Sequence, residues 1–196
     1  IFSILLLYTM LATMRDFRDN FSVEIWNEID PSWNKAVFSE TESITGLIVL
    51  IAIASLSLIQ SNLRGFRPTL WLMASGLLIS GGSTLLFHIH LLSPFWWMSL
   101  VGMGMFLAYI PVQVALFERM IAVFRIRANA GFFVYLCDSI GYMGSVIMLL
   151  YKEFFMKSMS WSKVLMQFSY LQAGVGLLPI ITAAVFFARK SASHTQ

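Results

Sequence analysis

Cysteine, histidine and charge are all scarce in this chain, and each scarcity removes a class of protein. One cysteine, Cys137, excludes an internal disulfide and any thiolate metal cluster, and its place in an apolar run suits a small packed residue. Three histidines are present, and two of them, His88 and His90, stand two apart on an expected helix, where they do not face each other. No zinc or other metal is therefore expected. Nucleophile elbows, phosphate loops and metalloprotease motifs are missing, so neither an enzyme nor a cofactor is expected. Only 12% of residues are charged, against about a quarter in soluble domains. With 58% hydrophobic residues and a mean hydropathy of +0.77, the composition is that of an integral membrane protein. The formal charge of +3 would suggest nucleic acid as a partner of a soluble domain, but basic loop residues here set topology, and no nucleic acid is expected. A basic segment and a small-residue cleavage site, the marks of a signal peptide, are also lacking. The chain opens at Ile1 in the middle of an apolar run, which leads us to expect a fragment with missing upstream sequence.

What is there is mostly apolar helix. Six stretches approach the roughly 20 helical residues that span a hydrocarbon core. The first, Ile1 to Met14, is expected to continue helically through the charged residues that follow. A polar connection with Trp26 and Trp33 leads to Ser39 and Glu42, spaced as a capping box that opens the second helix, which is expected to run to Gln60. Residues Ser61 to Pro68 read as a loop with Gly65 free to take positive φ, and the third helix as Thr69 to Leu91. Gly76, Ser80 and Ser83 form a small-residue stripe on it, the kind that lets membrane helices approach closely. The fourth helix, Phe95 to Phe117, contains Pro111, and the fifth and sixth read as Gly131 to Tyr151 and Val164 to Phe187. Counting Lys and Arg in alternate loops places Arg64, Arg67, Arg119, Arg125, Arg127, Arg189 and Lys190 on one side. Lys35, Lys152, Lys157 and Lys163 fall on the other, which points to a cytoplasmic C-terminus.

The few charges are concentrated. RDFRDNF, Arg15 to Phe21, carries four of them at the end of the first apolar run. At ~100° per residue, Tyr8, Ala12, Arg15, Arg18, Asp19 and Ser22 share one side of the helix, with Asp16 and Asn20 adjoining. Met14, Phe17, Phe21 and Ile25 fall opposite. Charges within a membrane need a protein interior or a wet cavity. Arg15 and Asp19 have the i,i+4 spacing of an intrahelical pair, and the two arginines could equally present their planar forks to an anion. Asp138 lies about two turns into the fifth helix with a stem too short to reach the interface, so it must pair, stay protonated or face water. Tyr142, one turn on, is a candidate partner, and Tyr135, Asp138, Gly141, Tyr142 and Ser145 share the polar side. Tyr109 and Gln113 flank Pro111, where a broken helix either lines a binding site or repairs its own hydrogen bonding.

Two motifs, RDFRDNF and ERMIA with NAGFFVYLCDSIGYMGS, give the chain its resemblance. It resembles the C-terminal six-helix half of a major facilitator superfamily transporter, most closely an uncharacterised family of bacterial inner-membrane proteins of that kind. In the loop before the third helix, Gly65 and Arg67 match the superfamily signature, while Asn62 and Leu63 depart from it. The resemblance implies an all-α, polytopic six-helix bundle over residues 1–190 with a polar tail at 191–196, in the bacterial inner membrane. It also implies an upstream six-helix half as partner besides the lipid bilayer, and alternating access for a small polar solute. The two arginines favour an anion. The expected binding or coupling residues are Arg15, Asp16, Arg18, Asp19, Asn20, Tyr109, Gln113, Asp138 and Tyr142. The alternative is a membrane scaffold or sensor whose charged network is structural.

Overall fold

The computed structural model describes residues 2–59, 61–124, 129–155 and 160–192. Among these, every regular element is helical: α1 (Phe2–Asn20), α2 (Ser22–Ile29), α3 (Ala36–Ser57), α4 (Asn62–His88), α5 (Pro94–Pro111), a π turn (Val112–Leu116), α6 (Phe117–Phe124), α7 (Ala130–Phe155), α8 (Trp161–Val175) and α9 (Leu177–Ala192). Arg125, Arg127 and Lys157, used above for orientation, lie outside the described residues.

Local chemistry explains where the helices begin and end. Pro94 starts α5, where its missing N–H costs nothing, and Asn129 caps α7 by accepting from the Gly131 amide at 2.8 Å. At the end of α4, His90 takes the left-handed conformation (φ 59). Its N–H reaches Phe87 O at 3.0 Å and the Leu91 N–H reaches Leu86 O at 2.9 Å, the paired bonds of a Schellman cap. Pro179 cannot donate to the carbonyl of Val175, and α8 ends there. Pro111 acts similarly, and the next five residues wind as the π turn.

Three stretches differ clearly from the sequence reading. The polar connection after the first helix is in part helical, as α2, and Trp26 on it is buried in the core because its ring packs with Ile25 among apolar neighbours. Ser39 and Glu42 do not cap the second helix, because α3 already begins at Ala36 and both lie inside it. Glu42 instead reaches across to Arg18 on α1. Residues 62–68 are helical rather than a loop, and no described glycine has positive φ. Gly65 is needed for close approach: a Cβ there would fall 1.0 Å from Nη1 of Arg119.

Helices α3, α5, α1 and α7 pack side by side in that order, with α4 and α8 behind them and α4 held closely to α5. The small-residue stripe does what its spacing predicts. Gly76 and Gly104 bring the α4 and α5 backbones so near that a Cβ on either would lie about 2.5 Å from the other's carbonyl oxygen. Gly141 and Gly144 do the same for α7 against Ala12 and Thr13 of α1. Two apolar cores result: one around Leu7, Leu11, Met73, Leu77 and Val112, the other around Met14, Phe17, Trp26, Trp97 and Met105.

Five helical stretches among the described residues are long and apolar enough to cross a membrane: Ala36–Ser57, Arg64–His88, Pro94–Ala122, Ala130–Phe155 and Trp161–Phe186. Helix α1 is not among them, since any part of it of spanning length includes Arg15, Asp16, Arg18 and Asp19. Exposed Leu47, Leu50 and Ile51 on α3 and Met143, Ile147 and Leu150 on α7 give these helices the apolar outer surface that contact with lipid requires.

Candidate functional site

The close packing of α1 on α7 and of α1 on α5 brings polar side chains from three helices to one point. Tyr8 and Tyr109 stack with ring centroids 4.9 Å apart, and their hydroxyls share a hydrogen bond at 2.8 Å. Tyr8 is also hydrogen-bonded to Asp138 Oδ1, and Arg15 Nη1 donates to the Tyr109 hydroxyl while the guanidinium lies over the Tyr109 ring. Gln113, released by the π turn to face inward, donates through Nε2 to the Tyr8 hydroxyl at 2.6 Å and to Tyr109 and Asp138 at 3.2 Å. Each phenol has a single proton. Tyr8 cannot serve both neighbours as donor, and the order that uses every proton once runs Arg15, Tyr109, Tyr8, Asp138. A guanidinium on α1 and a carboxylate on α7 are thus joined by a directed chain through two fully or nearly buried phenols.

Arg15 is also closed on its neighbour: Nε and Nη2 both donate to Asp16 Oδ1, at 2.9 and 2.6 Å. The other Asp16 oxygen accepts from Ser145 on α7 at 2.7 Å. The i,i+4 pairing that the spacing of Arg15 and Asp19 allowed does not form, because Arg15 turns to Asp16 and to Tyr109 of α5 while Asp19 sits on the exposed end of α1.

One turn on, Arg18 forms a separate centre. It is 2% exposed, lies flat against Gly102 of α5, and donates to Glu42 of α3 at 2.5 Å and to Asp19 at 3.3 Å. Its Nε has no hydrogen-bond partner. A cleft of about 300 Å³ opens beside it, lined also by Ser22, Trp26, Phe38, Met98 and Phe106. Asn20 is exposed and belongs to neither centre. A third arginine, Arg119, caps the far end of α3 by donating to the carbonyls of Leu56 and Ile59 at 2.9 and 3.2 Å.

Of the expected site residues, Arg15, Asp16, Tyr109, Gln113 and Asp138 meet in one network, and Arg18 and Asp19 in the other. Tyr142 is a correction. It is 62% exposed and does not bond Asp138, whose phenolic partner is Tyr8 from another helix. Tyr8, Ser145 and Glu42 escaped the sequence reading as site residues. Tyr8 and Ser145 did lie on the polar sides of their helices, which was the available signal; Glu42 was hidden by its resemblance to a cap. His88 Nδ1 lies 3.3 Å from the Tyr170 hydroxyl at the end of α4. No group of metal-ligating side chains occurs among the described residues.

The described residues have the make-up of an all-helical, multi-pass membrane protein, with five apolar stretches of spanning length and two part-buried ionic centres between its helices. The chain belongs to a family of unknown function, DUF5690, which it matches over residues 1–190. No curated protein and no solved structure matched it.

Proposed function

We propose that this chain is one half of a secondary transporter that moves a small polar solute across the bacterial inner membrane by alternating access. Its C-terminus would be cytoplasmic and an upstream six-helix half would close the other side of the path. The observation that carries the reading is the directed chain from Arg15 through Tyr109 and Tyr8 to Asp138. Ionisable groups among apolar spans are costly and mark substrate or ion pathways. These groups come from three helices rather than from one self-contained pair, so a shift of α7 against α1 and α5 would make and break them together. The π turn beside Pro111 supports it, as interrupted helices are where transporters place their sites. Helix α1 serves as the sixth span, its charges facing the path instead of lipid.

The test needs no substrate. In a Cys137→Ser background, Ser145→Cys and Gln113→Cys are labelled in sealed vesicles of known orientation with a small membrane-impermeant thiosulfonate. Alternating access predicts reaction at both positions from each face. Labelling confined to one face, or none from either, would replace the transporter with the scaffold or sensor.

A further inference from the structure

The geometry points to a cationic solute: we infer that the site accepts an ammonium group against Asp138, bordered by Tyr142 and Tyr135, and does not accept a free anion. The inference rests on the reading of this network as a solute site and adds its charge class. Three observations carry it.

The first is how the arginines are engaged. An anion binds most strongly to an open, planar guanidinium fork. The fork of Arg15 is closed on Asp16 by two bonds, and its Nη1 donates to the Tyr109 hydroxyl. Arg18 is buried and holds Glu42. A free anion would have to displace a carboxylate already fixed on the same chain.

The second is the balance of charge. Among the described residues, Asp138 accepts from two neutral donors, the Tyr8 hydroxyl and the Gln113 amide. Two guanidinium groups in the two centres meet four carboxylates, Asp16, Asp19, Glu42 and Asp138. Among the described residues, Asp138 is the one of these four carboxylates with no cation against it. In low dielectric an uncompensated negative charge attracts a positive one strongly.

The third is the border of the site. Successive ~100° steps along α7 carry the surface from Gly141 and Ser145, which face α1, to Asp138, then Tyr142, then Tyr135. Tyr142 is 62% exposed and Tyr135 77% exposed, both on the side of α7 where Asp138 leaves the packed stripe. A carboxylate with open tyrosine rings at i−3 and i+4 is the chemistry that recognises alkylammonium groups. It also gives Tyr142 a task that hydrogen bonding to Asp138 does not.

The experiment follows thermal unfolding of the full-length protein in detergent with choline chloride and tetramethylammonium chloride. Sodium acetate and sodium benzoate at matched ionic strength are the anionic counterparts. The ammonium salts are expected to raise the melting temperature in a saturable way, as a ligand of the folded state must. Asp138→Asn should abolish the shift, Asp138→Glu should keep it, and Tyr142→Ala should weaken apparent affinity by about three- to thirtyfold. An equal shift with the anions, a choline shift that survives Asp138→Asn, or no shift with either ammonium salt would overturn the proposal. Two-faced labelling without an ammonium shift would leave the transporter and remove the cation; an ammonium shift with one-faced labelling would leave a cation-binding sensor.

Discussion

Arg15 and Arg18 stand one turn apart on the same helix and have been put to opposite uses. Arg15 is part-exposed and reaches Tyr109 on α5 directly and Ser145 on α7 through Asp16, by short, directional bonds in a setting that a small movement of α7 would change. Arg18 is sealed between α1, α3 and α5, with its guanidinium pressed on Gly102 and one N–H left without a partner. The packing around them differs in the same sense. In the most apolar stretch of the span that includes α5, 67% is buried within the protein, against 11% for α7. The first arginine sits at a thinly covered seam and the second in a tightly packed wedge. A buried charge is not in itself evidence of stability, since desolvation opposes the ion pair; what Arg18 contributes is largely volume and the apolar length of its stem.

That contrast can be broken at four places, from the largest effect to the smallest. Arg18→Ala should destabilise the protein by about 2 to 4 kcal/mol, through the void left between three helices, as read from chemical unfolding in detergent. Tyr8→Phe should cost about 1 to 3 kcal/mol, because it removes the acceptor of the Tyr109 proton and leaves Asp138 with Gln113 as its remaining donor. If Tyr8→Phe proved the more damaging of the two, the roles assigned to seam and wedge would be reversed. Ser145→Ala removes one bond to Asp16 and should cost about 0.5 to 1.5 kcal/mol, with faster hydrogen exchange in α7 than in α5 as a further readout. Glu42→Gln should change stability by less than about 1 kcal/mol, since its side chain is 47% exposed and solvent screens the pair with Arg18.

Much of this arrangement could be read from the sequence, and the parts that could not have a common cause. Helical periodicity placed Tyr8, Arg15 and Arg18 on one side of the first helix and Asp138 with Ser145 on one side of the fifth. It also set Met14, Phe17 and Ile25 on the face that turned out to be core. Periodicity assigns faces within a helix but not which helix each face meets. Arg15 and Arg18 are about 60° apart on the wheel, enough for one to reach Tyr109 on α5 and the other Glu42 on α3. That divergence separates the observed pairs from the Arg15–Asp19 pair that spacing alone suggested. Glu42 misled for a related reason: Ser39 and Glu42 have capping spacing, yet a helix start is decided by backbone geometry upstream, at Lys35 and Ala36. Tyr8 was passed over because an aromatic residue in an apolar run looks like core, and only the meeting of α1, α5 and α7 shows its hydroxyl to be the middle of a chain.

The π turn at Val112–Leu116 has a consequence for how this family is aligned. A π turn holds one more residue than an α turn, so it offsets everything beyond it by about 100°. Tyr109 and Phe117 therefore belong to two different helical wheels. The offset lets one continuous span point Gln113 at Tyr8 and still deliver Arg119 to the carbonyls of Leu56 and Ile59. A homologue lacking a single residue between Pro111 and Phe117 would be expected to keep an unbroken helix and lose one of these two attachments. A gap at this place in an alignment is thus a change of architecture, whereas a gap in the connection before α3 is a change of length alone.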